Sequence, residues 1–270
     1  MGYKTFILSL SVALLIVFFS KNNDPPEDKT AEAKMIQRFR HWESGNALRD
    51  PVYAWSDVVV LDEDSFAQAK NGGTNSAEMW LIQFYDSSCT KCVAFQSSFK
   101  TLAKTYKRIG VNVGAFNCEQ NEQLCKEEGV LKYPTFIFYS GRQYGGNLDP
   151  SALDEWTLAQ VPRDAVTLLT SDGIEGWTME TKNTARAILF TENGIPSAMV
   201  GSLARRLKGK VAFAICSGNK EPELARQFGI TKMPQLVAIT KGDSLERKQK
   251  YIGKLVFDEM ENFLLLFAAR

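Results

Sequence analysis

The chain has 270 residues, a length that suits two domains of ordinary size, each with its own core. Hydrophobic residues make up 44% of it and charged residues 23%, which is typical of globular proteins and excludes a disordered chain. The net charge of +1 gives no electrostatic reason to expect a nucleic-acid partner, and the single histidine, His41, excludes mechanisms that need several imidazoles.

The first 20 residues have the pattern of a targeting segment. Lys4 precedes an apolar run over residues 6–19, which is short for the roughly 20 residues of a membrane span but fits a signal-peptide core. We predict a signal peptide or a retained signal anchor over 1–20, followed by a linker and a short helix over 21–50. Either alternative places the folded part in the endoplasmic reticulum lumen or outside the cell, where disulfides persist. A retained anchor through residues 6–19 would hold the domains on the luminal side.

Apolar runs and helix-start signals predict alternating strands and helices from residue 58 onward. The predicted strands are 58–61, 80–85, 111–116 and 135–139; the predicted helices lie around 66–69, from Cys89 onward, at 120–128 and at 152–160; a loop is predicted at 71–75 and a hairpin turn at 140–143. This alternation implies an α/β fold with a mainly parallel central sheet and helices on both faces.

The strongest chemical signal is the motif Cys89-Thr90-Lys91-Cys92, which directly follows the predicted strand 80–85. A helix that begins at Cys89 directs free N–H groups and the positive end of its dipole at that sulfur, and Lys91 adds a nearby positive charge. Both effects stabilise the thiolate, which is the attacking species. We predict Cys89 as the nucleophile and Cys92 as the more buried thiol that resolves a mixed disulfide with the substrate. A static disulfide is the alternative.

Several segments resemble thioredoxin-fold domains of the protein disulfide isomerase family. They are Phe84 to Cys92, the segment around Cys118, and Gly129 to Thr135, all within residues 58–160. The resemblance implies a cis Pro134 that faces the cysteine pair, and a substrate-binding edge formed by Tyr133, Pro134 and Thr135. It also implies thiol–disulfide oxidoreductase or isomerase activity on cysteine-containing polypeptides. No cofactor or metal is expected, only a redox partner such as glutathione or a thiol oxidase.

Cys118 and Cys125 have the spacing of a structural disulfide that several domains of this family contain. The resemblance therefore implies a structural bridge, which the oxidising compartment favours. The alternative is an auxiliary redox pair that relays electrons to Cys89 and Cys92. The fifth cysteine, Cys216, is left unpaired, and we predict that it is a small buried core residue.

The motif departs from the family pattern at three positions. Ser88 replaces a tryptophan, Val93 replaces a lysine, and Gln83 replaces a buried acid that shuttles a proton for the second thiol. Glutamine cannot accept and return a proton at neutral pH. We expect Gln83, through this loss, and Lys91, through its positive charge, to affect the stability of the thiolates. We predict a competent but weaker catalyst, since general acid–base help is typically worth about 10²–10⁴-fold.

The second half of the chain repeats the first without its cysteine motif. The strand before the motif aligns with residues 187–194, and the strand that ends at Cys118 aligns with residues 211–216. The segment that ends at Pro134 aligns with residues 223–234. We predict two tandem thioredoxin-like folds, each a central mixed β-sheet flanked by helices, over residues 51–161 and 162–270. The second is expected to be redox-inactive and to end in an amphipathic helix from Phe257. The alternative function for the whole chain is a redox-inactive chaperone or protein-binding module.

Overall fold

The computed structural model describes residues 52–75 and 78–269. The predicted targeting segment, the linker with its short helix, and His41 lie outside the described residues. Within the described ranges, no helix has both the length and the apolar character needed to cross a bilayer.

Residues 59–143 form a five-stranded sheet with the strand order β1-β3-β2-β4-β5. The strands are β1 (Val59–Leu61), β2 (Met79–Tyr85), β3 (Val111–Asn117), β4 (Thr135–Tyr139) and β5 (Arg142–Gln143), and the helices are α1 (Glu63–Asn75), α2 (Thr90–Lys107), α3 (Glu122–Glu127) and α4 (Pro150–Gln160). Strands β1, β3 and β2 are parallel, whereas β4 and β5 each run antiparallel to their neighbour. The predicted mixed α/β fold is confirmed.

The two faces of this sheet are covered by different helices. Successive residues of a strand point to opposite faces. Leu81 and Tyr85 of β2 accordingly belong to a core cluster with α2 and α4, whereas Ile82 and Phe84 belong to a second cluster with α1 and α3. The helix that carries the cysteine motif therefore covers one defined face of the sheet.

The loop predicted at residues 71–75 is wrong, because α1 continues through Asn75. Two consecutive glycines, Gly72 and Gly73, suggest a break, since each costs about 1 kcal/mol in a helix interior. The preceding turns are held by burial of Phe66 and Ala69 in the core and by an ion pair between Lys70 and Glu128. Tertiary packing here outweighs local propensity.

Residues 166–250 form a second five-stranded sheet with the equivalent order β6-β8-β7-β9-β10. Its strands are β6 (Val166–Leu169), β7 (Ala185–Thr191), β8 (Val211–Ser217), β9 (Gln235–Ile239) and β10 (Lys248–Lys250), and its helices are α5 (Ile174–Glu180), α6 (Ala198–Arg206), α7 (Pro222–Gln227) and α8 (Phe257–Ala268). The chain thus contains two tandem folds of the same topology. Helix α8 buries one apolar face that includes Phe257 and Met260, as its amphipathic pattern predicts.

The two folds contact each other through a short connection and the start of α6. The Arg163 guanidinium donates hydrogen bonds to the carbonyls of Leu158, Val161 and Pro196, at 2.8–3.3 Å. Ala198, the first residue of α6, is buried in the core cluster of the first fold. The start of α6 is therefore covered by the first fold.

A second contact joins the start of β3 to the start of α8. Gly110 has a φ of +74°, and a Cβ at this position would lie 2.3 Å from the Phe257 ring. Both the backbone conformation and the close approach of the ring require glycine here.

Candidate active site

One edge of the first sheet brings together the segments that the sequence singled out. Tyr85 of β2 pairs in parallel with Asn117 of β3, and Phe84 of β2 pairs in antiparallel fashion with Thr135 of β4. Because of these registers, the residues after β2, the residues after β3 and the residues before β4 all lie at the same edge. The cysteine motif, Cys118 and Pro134 occupy those three places.

Cys89 is the N-cap residue of α2. Its Sγ accepts a hydrogen bond from the Cys92 N–H at 3.1 Å, and its carbonyl accepts one from the Val93 N–H at 3.1 Å. The sulfur thus lies where the unpaired N–H groups and the positive end of the helix dipole are directed. The first turn of α2 contains no acidic residue that would oppose this effect. The local structure stabilises a thiolate at Cys89.

The two cysteines of the motif differ in their access to solvent. They form a disulfide with a Cα–Cα distance of 5.2 Å. Cys89 is half-buried, whereas Cys92 is 4% exposed and belongs to the core beneath α2. Lys91 between them is exposed, so water and salt screen its charge. An incoming thiol or disulfide therefore reaches Cys89 first.

The loop before Cys89 is held by polar contacts that the sequence did not indicate. The Cys89 N–H donates to the Asp86 carbonyl at 3.1 Å. The Ser87 hydroxyl donates to the Glu119 carboxylate, and the Asn117 side-chain amide donates to the Ser87 hydroxyl oxygen at 3.4 Å. The two contacts of Ser87 join the loop to the end of β3, and no sequence motif predicts them because their partners are about 30 residues apart.

Cys118 and Cys125 form a disulfide that joins the end of β3 to α3, with a Cα–Cα distance of 5.9 Å. Both cysteines are buried, at 2% and 1% exposure. The Cys118 N–H donates to the carbonyl of Tyr85 at 2.8 Å, which ties the bridge to the strand that precedes the cysteine motif. Burial of both residues favours a structural bridge over an auxiliary redox pair.

The residues around the cis Tyr133–Pro134 bond are not equally accessible. Tyr133 and Pro134 are half-buried, and burial, followed by the charge of Asp86, raises the pKa of the Tyr133 hydroxyl. The Thr135 side chain is 3% exposed, and its hydroxyl donates to the Lys132 carbonyl at 2.7 Å. Thr135 was expected at the substrate edge, but its buried side chain supports the turn instead.

Two exposed apolar side chains lie next to these segments in the chain. Val93 directly follows Cys92 and is 58% exposed, and Leu131 precedes Tyr133 by two residues and is 90% exposed. Solvent-exposed apolar side chains beside a reactive cysteine offer contacts to the apolar parts of a polypeptide. The helical pattern predicts Val93 as a buried residue of α2, which its exposure shows to be wrong, and Leu131 was missed.

Gln83 is fully buried on the sheet face that α2 covers. Its Oε1 accepts a hydrogen bond from the Tyr53 hydroxyl at 2.5 Å, and its Nε2 has no hydrogen-bond partner among the described residues. Tyr53 is itself 2% exposed and was missed, since nothing in the sequence relates it to a residue 30 positions later. A neutral amide is therefore buried at the position where the family pattern has a proton-shuttling acid, as the sequence comparison with that pattern implies.

The second fold keeps the architecture of this edge but not its chemistry. Ser197 is the N-cap residue of α6, and its hydroxyl accepts a hydrogen bond from the Val200 N–H at 3.3 Å, as Cys89 does from Cys92. A cis peptide bond precedes Pro234 as it precedes Pro134. Cys216 is buried in β8 without a disulfide, and burial raises the pKa of its thiol to about 11. The second fold is therefore built like the first without a redox-active pair.

No group of three or more His, Cys, Asp or Glu side chains in the described part of the chain is placed to hold a metal ion. The two sulfurs of the motif are placed to exchange disulfides, and the groups around them position them.

Comparison with known proteins agrees with this geometry. Residues 57–158 match the family model named Thioredoxin. The first fold is therefore a thioredoxin-like domain. We call it the thioredoxin domain from here on, and its match includes the cysteine motif, the buried disulfide and Pro134.

Sequence similarity to known proteins extends over most of the chain. A provisionally named protein disulfide-isomerase of Dictyostelium discoideum is 25% identical over 225 residues, which is 80% of this chain and 53% of that protein. The DnaJ homolog subfamily C member 10 of Rattus norvegicus is 27% identical over 241 residues, which is 80% of this chain and 29% of that protein. The chain thus spans about half or less of the length of these relatives. Over most of its length the sequence is similar to that of a protein named as a protein disulfide-isomerase.

A crystal structure of ERdj5 has the same fold over both halves. It superposes with a TM-score of 0.61 at 20% sequence identity and covers 79% of this chain and 30% of the ERdj5 chain. At this identity the likeness concerns the fold alone. The tandem arrangement of two thioredoxin-like folds therefore also occurs in a solved structure.

Proposed function

We propose that this protein is a thiol–disulfide oxidoreductase or isomerase that acts on cysteine-containing polypeptides in the endoplasmic reticulum lumen. The observation that carries the proposal is the placement of Cys89 at the N-cap of α2, half-buried, above a buried Cys92. The kinship with protein disulfide isomerases supports it. The predicted targeting segment over residues 1–20 supports the compartment.

The reaction needs only sulfur chemistry. The Cys89 thiolate attacks one sulfur of a substrate disulfide, that disulfide breaks, and the other substrate sulfur leaves as a thiolate that takes a proton from water. The Cys92 thiolate then attacks the Cys89 sulfur and displaces the second substrate thiolate. Two electrons have passed to the substrate, and Cys89 and Cys92 end as the disulfide. The reverse sequence donates this disulfide, and glutathione or a thiol oxidase resets the pair.

The surrounding residues would bind the substrate and adjust the two thiols. Tyr133 and Pro134 form the binding edge, and the exposed side chains of Val93 and Leu131 extend it with apolar surface. Lys91 and Gln83 adjust the stability of the two thiolates. The buried bridge between Cys118 and Cys125 supports the substrate-binding edge.

A second candidate function is a chaperone or protein-binding module with a static disulfide. The observation that favours it is the buried, neutral Gln83, which cannot take a proton from Cys92 as the acid implied by the resemblance would. The redox-inactive second fold is compatible with either function. A retained anchor at residues 6–19 would make this a membrane-attached module, and the intact mass of the mature protein decides that point, since a cleaved chain lacks about 20 residues.

The reduction potential of the Cys89–Cys92 pair separates the two functions. It is measured by equilibrating the protein in glutathione buffers of graded composition, alkylating the free thiols, and determining the reduced fraction by mass spectrometry. A potential near the roughly −180 to −210 mV of the endoplasmic reticulum supports a pair that cycles there. A potential below about −300 mV indicates a locked disulfide and rejects the proposal in favour of the binding module.

Single substitutions test the assigned roles of the two cysteines. Cys89→Ser should abolish turnover of a disulfide-containing polypeptide, and Cys92→Ser should accumulate mixed disulfides with it, because the resolving attack is lost. Cys216→Ser is the matched control, since Cys216 is buried in the second fold. Non-reducing electrophoresis detects the adducts, and their absence from the Cys92→Ser protein would contradict the mechanism.

A further inference from the structure

We propose that Tyr53 is a positioning residue for the resolving step. It holds the Gln83 amide so that the amide N–H stabilises the Cys92 thiolate, in place of proton transfer to an acid. The inference rests on the proposed function and deepens it, since it concerns the same cysteine pair.

Tyr53 is fixed between the strand and the helix that carry the site. Its ring contacts Tyr85, the last residue of β2, edge-on at a centroid distance of 5.4 Å, and Phe99 of α2 at 6.0 Å. The residues beside it are bound along α2 as well. The Gln96 side chain donates to the Val52 carbonyl, and Lys107 pairs with Asp57 at 2.6 Å. The position of the Tyr53 hydroxyl is therefore set by packing on both sides.

The hydroxyl of Tyr53 determines which end of the Gln83 amide is bound. It donates to Oε1, so the NH₂ group is the end directed away from Tyr53. That NH₂ group is buried and has no partner among the described residues. A buried donor without an acceptor is disfavoured, and such a group in a folded protein calls for a functional or structural explanation.

Cys92 supplies an acceptor when the pair is reduced. Leu81 and Tyr85, the neighbours of Gln83 on the same face of β2, share a core cluster with Cys92 and with Tyr53. A disulfide sulfur is a weak acceptor, whereas a thiolate in a medium of low dielectric constant is a strong one. Among the described residues no Asp, Glu or Lys side chain is fully buried, and the Asp154 carboxylate of α4, which has one buried oxygen, lies beside Tyr106 near the other end of α2. Ionised Cys92 would gain the hydrogen bond that the amide lacks in the disulfide form.

The probe for this idea is glutathione disulfide. The fully reduced Cys89–Cys92 pair of the whole protein attacks it to give a glutathione adduct at Cys89, and Cys92 then displaces glutathione. Acid quenching and mass measurement follow the decay of the adduct, which reports the attack by Cys92. The decay is measured from pH 6 to pH 9, because its rate follows the thiolate fraction of Cys92.

The informative variant is Tyr53→Phe, which keeps the ring and removes the hydroxyl. We expect adduct decay to slow about 3- to 10-fold at pH 7, which is the factor that corresponds to one net hydrogen bond. We also expect the pH at which the decay rate increases to be higher than in the wild type. Gln83→Met, which keeps the volume and removes the amide, should slow decay similarly. The double variant should be no slower than Gln83→Met, because Tyr53 acts through Gln83. Tyr106→Phe, a buried tyrosine near the far end of α2, is the control and should match the wild type.

The outcomes separate this inference from the proposed function. A wild-type protein that never forms or resolves the adduct refutes both. A wild-type protein that resolves it, together with a folded Tyr53→Phe variant of equal rate and pH profile, refutes only the role of Tyr53. Equal slowing by Tyr106→Phe, or additive slowing in the double variant, also overturns it. If Tyr53→Phe does not fold, Gln83→Met decides alone, and an unchanged rate there rejects the inference.

Discussion

Replacing Cys118 and Cys125 together by alanine should destabilise the thioredoxin domain and leave the second fold unchanged. The two cysteines are 7 residues apart in the chain and form a buried bridge between β3 and α3. In the chain-entropy treatment, a closed loop of this length removes about 2.4 kcal/mol of unfolded-state entropy at 25 °C. Loss of that constraint, with additional loss of packing at two buried positions, lowers the free energy of unfolding by at least about 2 kcal/mol.

Native-state hydrogen exchange measures this effect in each fold separately. Amides of Phe136 and Phe138 lie in buried β4, and those of Leu236 and Ala238 lie in the equivalent strand β9 of the second fold. A loss of 2.4 kcal/mol should speed exchange of the β4 amides about 50-fold, and the β9 amides are the internal control. Cys216→Ala measures the packing cost of a buried cysteine that has no bridge to lose.

Two results would refute this reasoning. Unchanged exchange in β4 would mean that the bridge does not restrict the unfolded chain. Equal acceleration in β4 and β9 would mean that the two folds open as one cooperative unit, so that the bridge stabilises both.

Gln83→Glu should speed release of the glutathione adduct by about 10-fold or more, because a buried carboxyl can take the proton that glutamine cannot. Rapid-quench mass measurement tests this against Gln83→Met, and a rate equal to that of the wild type would show that no shuttle is missing. Cys216 should make the second fold less stable at alkaline pH. Burial raises its thiol pKa from 9.0 to about 11, so the stability that the neutral thiol provides is present below pH 9 and is lost as the pH rises to 11. The unfolding free energy of the wild type should fall by about 2–3 kcal/mol relative to Cys216→Ala over that range, and a constant difference would contradict the assignment.

Much of the fold follows from local sequence patterns. Short apolar runs separated by polar helices predict the strands of the first sheet to within a residue or two, and the register of β2 with β3 and β4 then brings Cys89 and Pro134 to one edge. The start of α2 at Cys89 was also predictable, because a strand end followed by this motif is a local feature. The extension of α1 through Asn75 was not predictable from the sequence, since it opposes the local propensity of two glycines.

The parts of the site that sequence reasoning missed depend on contacts between distant residues. Tyr53 and Gln83 are 30 positions apart, and no periodicity links them. Ser87 and Glu119 are likewise joined only because β2 and β3 end side by side. The burial of Thr135 also depends on packing between distant segments, so its side chain lies in the interior although it was expected at the substrate edge.

The sequence by itself determined that the first half carries two cysteines able to exchange disulfides and that the second half repeats the pattern without them. Only the tertiary structure decided which of those sulfurs is accessible, what holds the Gln83 amide, and that Arg186 is fully buried with its guanidinium bound to the carbonyls of Thr240 and Gly242. The reason is physical. Local spacing encodes helices, strands and their ends, whereas burial and hydrogen-bond partners depend on which distant segments pack together.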